Sequence, residues 1–248
     1  MRILAIGNSF SRNACTYLHQ AALAQGIDLD VTNLYIGGCP LETHCLNLET
    51  GAPDYDLQHN GESTGRMVSI METLRDGPWD VIITQQASHF SGWMESYEPF
   101  LGILADVLRR EAPNARLLLH ETWAYEHGSP HRFFLRYNRS QQQMYDRLHH
   151  CYTAMADKYG FDLIPCGTLI QQTRALPAFD TPSGGQTLCL SDGFHMNLYG
   201  CYLLALVWIK TLCGASVAEN PFTPAPGFEV DVVDETLLQL IRDVVREG

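Results

Sequence analysis

Five short apolar segments alternating with helical patterns predict an α/β fold: a doubly wound, five-stranded parallel sheet of flavodoxin-like order, in one domain spanning residues 1–248. Three observations carry this. Each strand segment is a short apolar run that stops at a glycine, a proline or a polar cluster. The segments between successive strands are long enough for parallel crossovers. No linker, internal repeat or low-complexity tract divides the 248 residues, a length that buries a sizeable core.

Arg2 to Gly7 is a strand that runs through a tight turn, Asn8-Ser9-Phe10-Ser11, into a helical pattern. Tyr17, Leu18, Ala21, Ala22 and Ala24 continue a helix that Gly26 ends, and Leu29 to Ile36 forms the second strand, running into Gly37-Gly38-Cys39-Pro40. Leu41 to Gly65 is polar and aperiodic and is expected to be a long loop, a lid or a pocket wall, with helix resuming around Arg66 to Leu74. Asp80 to Thr84 is a buried third strand that exits into Gln85-Gln86-Ala87-Ser88-His89. Phe100, Leu104, Val107 and Leu108 make a helical stripe closed by Pro113. Arg116 to His120 is the fourth strand and delivers Glu121-Thr122-Trp123 to the same sheet edge, where Glu121 and Trp123 are candidates for a substrate pocket or for ordinary packing. His127 and His131 have the spacing of a metal pair, but Gly128 and Pro130 between them break the helix that would aim both at one ion, so the segment reads as loop. Asn138 to Tyr159 is an amphipathic helix, Phe161 to Pro165 the fifth strand, and a further helix reaches about Ala175. The loop Pro177 to Gly185 leads to Ser191-Asp192-Gly193-Phe194-His195, and then to helices over Tyr199–Leu212 and Asp234–Val245.

The formal net charge of −12 argues against a nucleic-acid partner and disfavours anionic membranes. The first strand begins at Arg2, leaving no room for a signal segment, so the chain reads as cytoplasmic. The eight cysteines form no C-x-x-C pair and are expected to be reduced and buried. Leu198 to Leu212, the longest apolar stretch, contains Lys210 and falls short of the ~20 residues of a bilayer span.

A serine between the first strand and its helix faces the crevice where open α/β sheets bind ligands, backed by free N–H groups at the helix start. The bland alternative is that Asn8, Ser9 or Ser11 simply caps the helix. The distant Asp192-x-x-His195 changes the balance, because a hydroxyl, an imidazole and a carboxylate that fixes its tautomer are the parts of an activated nucleophile.

At these two stretches the sequence resembles the SGNH, or GDSL-type, hydrolases. Their G-D-S-x-S block stands here as Gly7-Asn8-Ser9-Phe10-Ser11, with Asn8 in place of the aspartate, and their D-x-x-H block as Asp192-Gly193-Phe194-His195. The resemblance implies a three-layer α/β/α fold, a Ser9/His195/Asp192 triad and ester hydrolysis of a small-molecule substrate without metal or organic cofactor. It also implies that a glycine after the second strand lends its N–H to the oxyanion hole, Gly38 ahead of Gly37; the alternative is that the pair only makes a turn before Pro40. The family's G-x-N-D block is missing. Glutamine carries the same amide donor, so Gln86 is expected to stand in, with Gln85 second, against the alternative of ordinary polarity at a strand exit. The substrate implied is a small acyl ester on a carbohydrate, and the rival function is a phosphate- or glycan-binding module on the same fold.

Overall fold

The computed structural model describes all residues, 1–248. The chain begins with β1 (Arg2–Gly7), α1 (Ser9–Cys15), α2 (Leu18–Ala24) and β2 (Asp30–Tyr35). It continues with α3 (Leu41–Thr50), the hairpin β3 (Tyr55–His59) and β4 (Glu62–Val68), α4 (Ile70–Arg75) and β5 (Val81–Thr84). The second half holds α5 (Phe100–Glu111), β6 (Arg116–His120), α6 (Gln141–Tyr159), β7 (Asp162–Ile164), α7 (Cys166–Arg174), α8 (Leu198–Cys213) and α9 (Glu235–Glu247). No helix is long and apolar enough to cross a membrane.

The sheet has seven strands, not five, in the order β4-β3-β2-β1-β5-β6-β7. Its five parallel strands are those expected from the sequence, and β2-β1-β5-β6-β7 is the doubly wound flavodoxin-like order. The two additional strands are antiparallel and extend the sheet beyond β2. They replace the loop expected over Leu41–Gly65, together with α3. The hairpin closes on Asn60-Gly61, both at positive φ (50° and 91°), as a two-residue turn between right-twisted strands requires. β4 also displaces the start of the next helix from Arg66 to Ile70, where the Ser69 side chain accepts from Glu72 N at 3.2 Å and caps it.

Helices flank the sheet in three layers. α8 packs against α1, α2, α7 and α9, and α3 packs against α4 and α5. A single cluster of 66 buried apolar residues runs from Ile3 to Val245. The β1 register sets Gly7 opposite Tyr35 of β2, and Ile6 opposite Thr84 of β5, so the exits of all three strands meet at one edge. The strand order reverses between β1 and β5, which places the ligand crevice of such a sheet directly above Ser9.

Candidate active site

Ser9 is the first residue of α1, and Asn8 is the cap: its Oδ1 accepts from Phe10 N at 3.0 Å, and its Nδ2 donates to Cys39 O at 3.0 Å. Ser11 is buried, with Oγ 2.9 Å from Asn8 O and 2.8 Å from Asn33 Oδ1. Both rival polar residues of the turn are thus consumed. Ser9 is half-buried, and its hydroxyl makes no hydrogen bond within the protein.

The Asp192–His195 segment forms a second compact unit. Asp192 Oδ1 accepts from Phe194 N and His195 N, both at 2.9 Å, and Oδ2 lies 2.7 Å from His195 Nδ1. Burial alone would raise the Asp192 carboxyl, but the two backbone N–H groups and the His195 ring outweigh it and hold it below the ordinary value. The carboxylate accepts from Nδ1–H, so Nε2 is the free lone pair of the imidazole. The tight turn needs Gly193, at φ +73°, where a Cβ would come within 2.8 Å of Ser129.

Two links bring the units together. Asn13 of α1 accepts from Met196 N at 3.1 Å through Oδ1. Trp123 stacks on Phe10 with centroids 3.9 Å apart and donates from Nε1 to Phe194 O at 2.8 Å, bracing the neighbours of Ser9 and of His195 at once. Ser9 and His195 border the same two cavities, with no direct hydrogen bond between them in this state. The smaller, about 200 Å³, is lined by Gly37, Gly38, Ala87, Ser88, His89 and His131. The larger, about 730 Å³, has aromatic walls of Tyr17, Tyr35, Phe222 and Phe228.

Gly38 lies in the smaller cavity at φ +64°, and its N–H, like that of Ser9, has no acceptor in the protein. Gln86 and Gln85 are corrected: neither borders the cavities at Ser9. Gln86 Oε1 accepts from Leu41 N at 3.1 Å and Ala87 N at 2.8 Å, while its Nε2 donates to Ser96 O at 2.7 Å. Gln85 Nε2 donates to Asn8 Oδ1 at 2.8 Å, supporting the cap from below. Glu121 and Trp123 are likewise removed from the pocket, both fully buried. Glu121 accepts from Thr168 N at 2.7 Å and binds His149 Nδ1 at 2.7 Å, joining β6 to α7 and α6. The cavity residues that sequence reasoning missed are His89 and His131. The available signal for His89 was its place just past the exit of β5, whereas His131 lies in a loop well beyond the end of β6 and carried no such signal.

The chain matches over residues 2–233 the model of a family described as domain of unknown function, DUF4886. A crystal structure of a DUF4886 family protein from Bacteroides uniformis is 33% identical, with 100% of this chain and 93% of that one covered and a TM-score of 0.89. A candidate SGNH hydrolase from Slackia heliotrinireducens is 23% identical over 86% of this chain and 98% of that one (TM-score 0.60). The acetyl xylan esterase AlAXEase is 13% identical over 86% of this chain and 100% of that one (TM-score 0.58). The last two share the fold: the mostly parallel three-layer sheet is that of SGNH hydrolases. No curated protein matches the sequence.

Proposed function

We propose that this chain, which belongs to the DUF4886 family, is a serine ester hydrolase working through Ser9, His195 and Asp192. One observation carries the reading: an imidazole with Nδ1 held by a carboxylate and Nε2 free borders the same space as a serine hydroxyl that has no other partner. His195 Nε2 takes the Ser9 proton as Oγ attacks the ester carbonyl. The tetrahedral oxyanion is received by the Ser9 and Gly38 N–H groups. Its collapse breaks the acyl–oxygen bond, and His195 hands the proton to the departing alcohol, leaving acyl-Ser9. Water then adds to the acyl carbon, giving its proton to His195, and the acid leaves as Ser9 is reprotonated. Asp192 holds the ring in the required tautomer and stabilises the imidazolium in both halves.

The unequal cavities support a substrate with a small acyl group in the space beside Gly38 and a bulky alcohol against the aromatic walls, as in an acetylated sugar. The eight unpaired cysteines suit a reducing compartment. The test is hydrolysis of p-nitrophenyl acetate and of longer p-nitrophenyl esters by the wild type and Ser9→Ala. Turnover that depends on Ser9 and falls as the acyl chain lengthens is expected. Wild-type turnover no faster than the Ser9→Ala background would move the chain to the binding-module reading.

A further inference from the structure

With both glutamines consumed by their own surroundings, the oxyanion is left with two backbone donors and no side chain, although the cavity holding those donors is not short of polar groups. His131 and His89 line it beside Ser9, Gly38 and His195. His131 Nδ1 accepts from Phe133 N at 3.3 Å, so the ring proton sits on Nε2, at the opposite edge. The ring is gripped between Tyr125, with centroids 4.5 Å apart, and Phe194, the neighbour of His195, at 4.7 Å and edge-on. Nε2 has no acceptor within the protein. Burial, then the cation of Arg132, then His195 push the His131 imidazole below its ordinary value against the opposing pull of Asp192, a net shift that favours the uncharged ring. A neutral imidazole N–H is a competent donor to a developing oxyanion, and it adds no positive charge beside an imidazolium forming at His195.

We propose that His131 is a catalytic residue of this site, its Nε2–H donating to the tetrahedral oxyanion as the side-chain partner of the Ser9 and Gly38 N–H groups. The assignment rests on the serine-hydrolase reading. His89 is the weaker candidate, because neither of its ring nitrogens is hydrogen-bonded and only ring contacts, with Phe90 at 4.3 Å and Phe133 at 4.9 Å, orient it.

The experiment is steady-state kinetics on p-nitrophenyl acetate together with inhibition by methylboronic acid, which forms a tetrahedral adduct on a nucleophilic serine. His131→Leu should lower kcat by about a hundred- to a thousandfold with little change in KM, and weaken boronate inhibition in parallel. His131→Gln, which returns a neutral N–H near the position of Nε2, should stay within about tenfold of wild type. His89→Ala should cost less than His131→Leu. In the wild-type protein the His131 Nε2 proton should move downfield on boronate binding. Loss of activity equal in the Leu and Gln variants, a His131→Leu kcat within tenfold of wild type, or an unmoved proton resonance would each overturn the assignment, leaving the backbone of Ser88 and His89 as the source of any third donor. Failure of the reading beneath it looks different: a wild type with no Ser9-dependent turnover at all.

Discussion

The exits of β1 and of β5 both carry uncharged polar side chains, and they meet opposite fates. After β1 a helix starts at once, and one side chain, Asn8, caps it, so Ser9 owes nothing to its own backbone. After β5 no α-helix begins until Phe100, and the intervening chain is irregular and largely buried. Buried backbone groups outside regular structure must find partners, and here Gln86 supplies them for Leu41, Ala87 and Ser96. The exit of β6 repeats this pattern with Glu121. Whether a strand leads into a helix or into buried irregular chain decides if its polar exit residues are free for chemistry or committed to structure.

Substitutions at the two kinds of exit should therefore separate activity from stability. Ser9→Ala and His195→Ala should each lower kcat by about 10⁴-fold or more with melting temperature nearly unchanged, and the double variant should lose little more, since the parts act as a unit. A His195→Ala enzyme with near-normal turnover would remove the base. Gln86→Ala should do the reverse, costing about 3 kcal/mol by orphaning several buried groups while kcat of the folded fraction stays within tenfold. A large kcat loss without destabilisation in urea unfolding would return Gln86 to the oxyanion. Glu121→Ala should cost about 2 kcal/mol, less than Gln86→Ala because His149 is half exposed and regains water.

A different kind of effect, one that varies with pH, concerns His120 at the end of β6. Burial pushes its imidazole down to about 3, and its Nδ1 accepts from Trp208 Nε1 at 2.9 Å. Its folded value lies below the unfolded one of about 6.5, so the unfolded chain binds the extra proton. Stability should therefore fall as pH drops below about 6.5, by about 1.4 kcal/mol per pH unit from this group alone. His120→Gln, which keeps an acceptor for Trp208, should flatten that slope in urea titrations between pH 6 and 4. An unchanged slope would mean that His120 is protonated in the native state.

The parallel sheet was legible because its strands are short apolar runs such as Val81–Thr84, all four residues buried, as strands of a sheet covered on both faces are. The hairpin was not, since β4 reads ESTGRMV and only Val68 is buried, so alternation is absent from an edge strand that faces solvent. The Asn60-Gly61 pair was the signal that could have found it. In the site, Ser9, Gly38, Asp192 and His195 could be placed because each depends on local geometry: a strand exit, a glycine turn, an i,i+3 pair. The commitments of Gln86 could not, because its partners Leu41 and Ser96 are set by tertiary packing. His131 lies in a loop, as Gly128 and Pro130 dictate. Its approach to the cavity depends on the aromatic ring contacts with Tyr125 and Phe194, which sequence spacing does not encode.

Labelling by a fluorophosphonate probe, with peptide mapping of the adduct, tests the nucleophile most directly. A single adduct on Ser9 is predicted in the wild type, abolished in Ser9→Ala, strongly slowed in His195→Ala and retained in Gln86→Ala. A wild-type protein that stays unlabelled, or an adduct on any residue other than Ser9, would contradict the assignment.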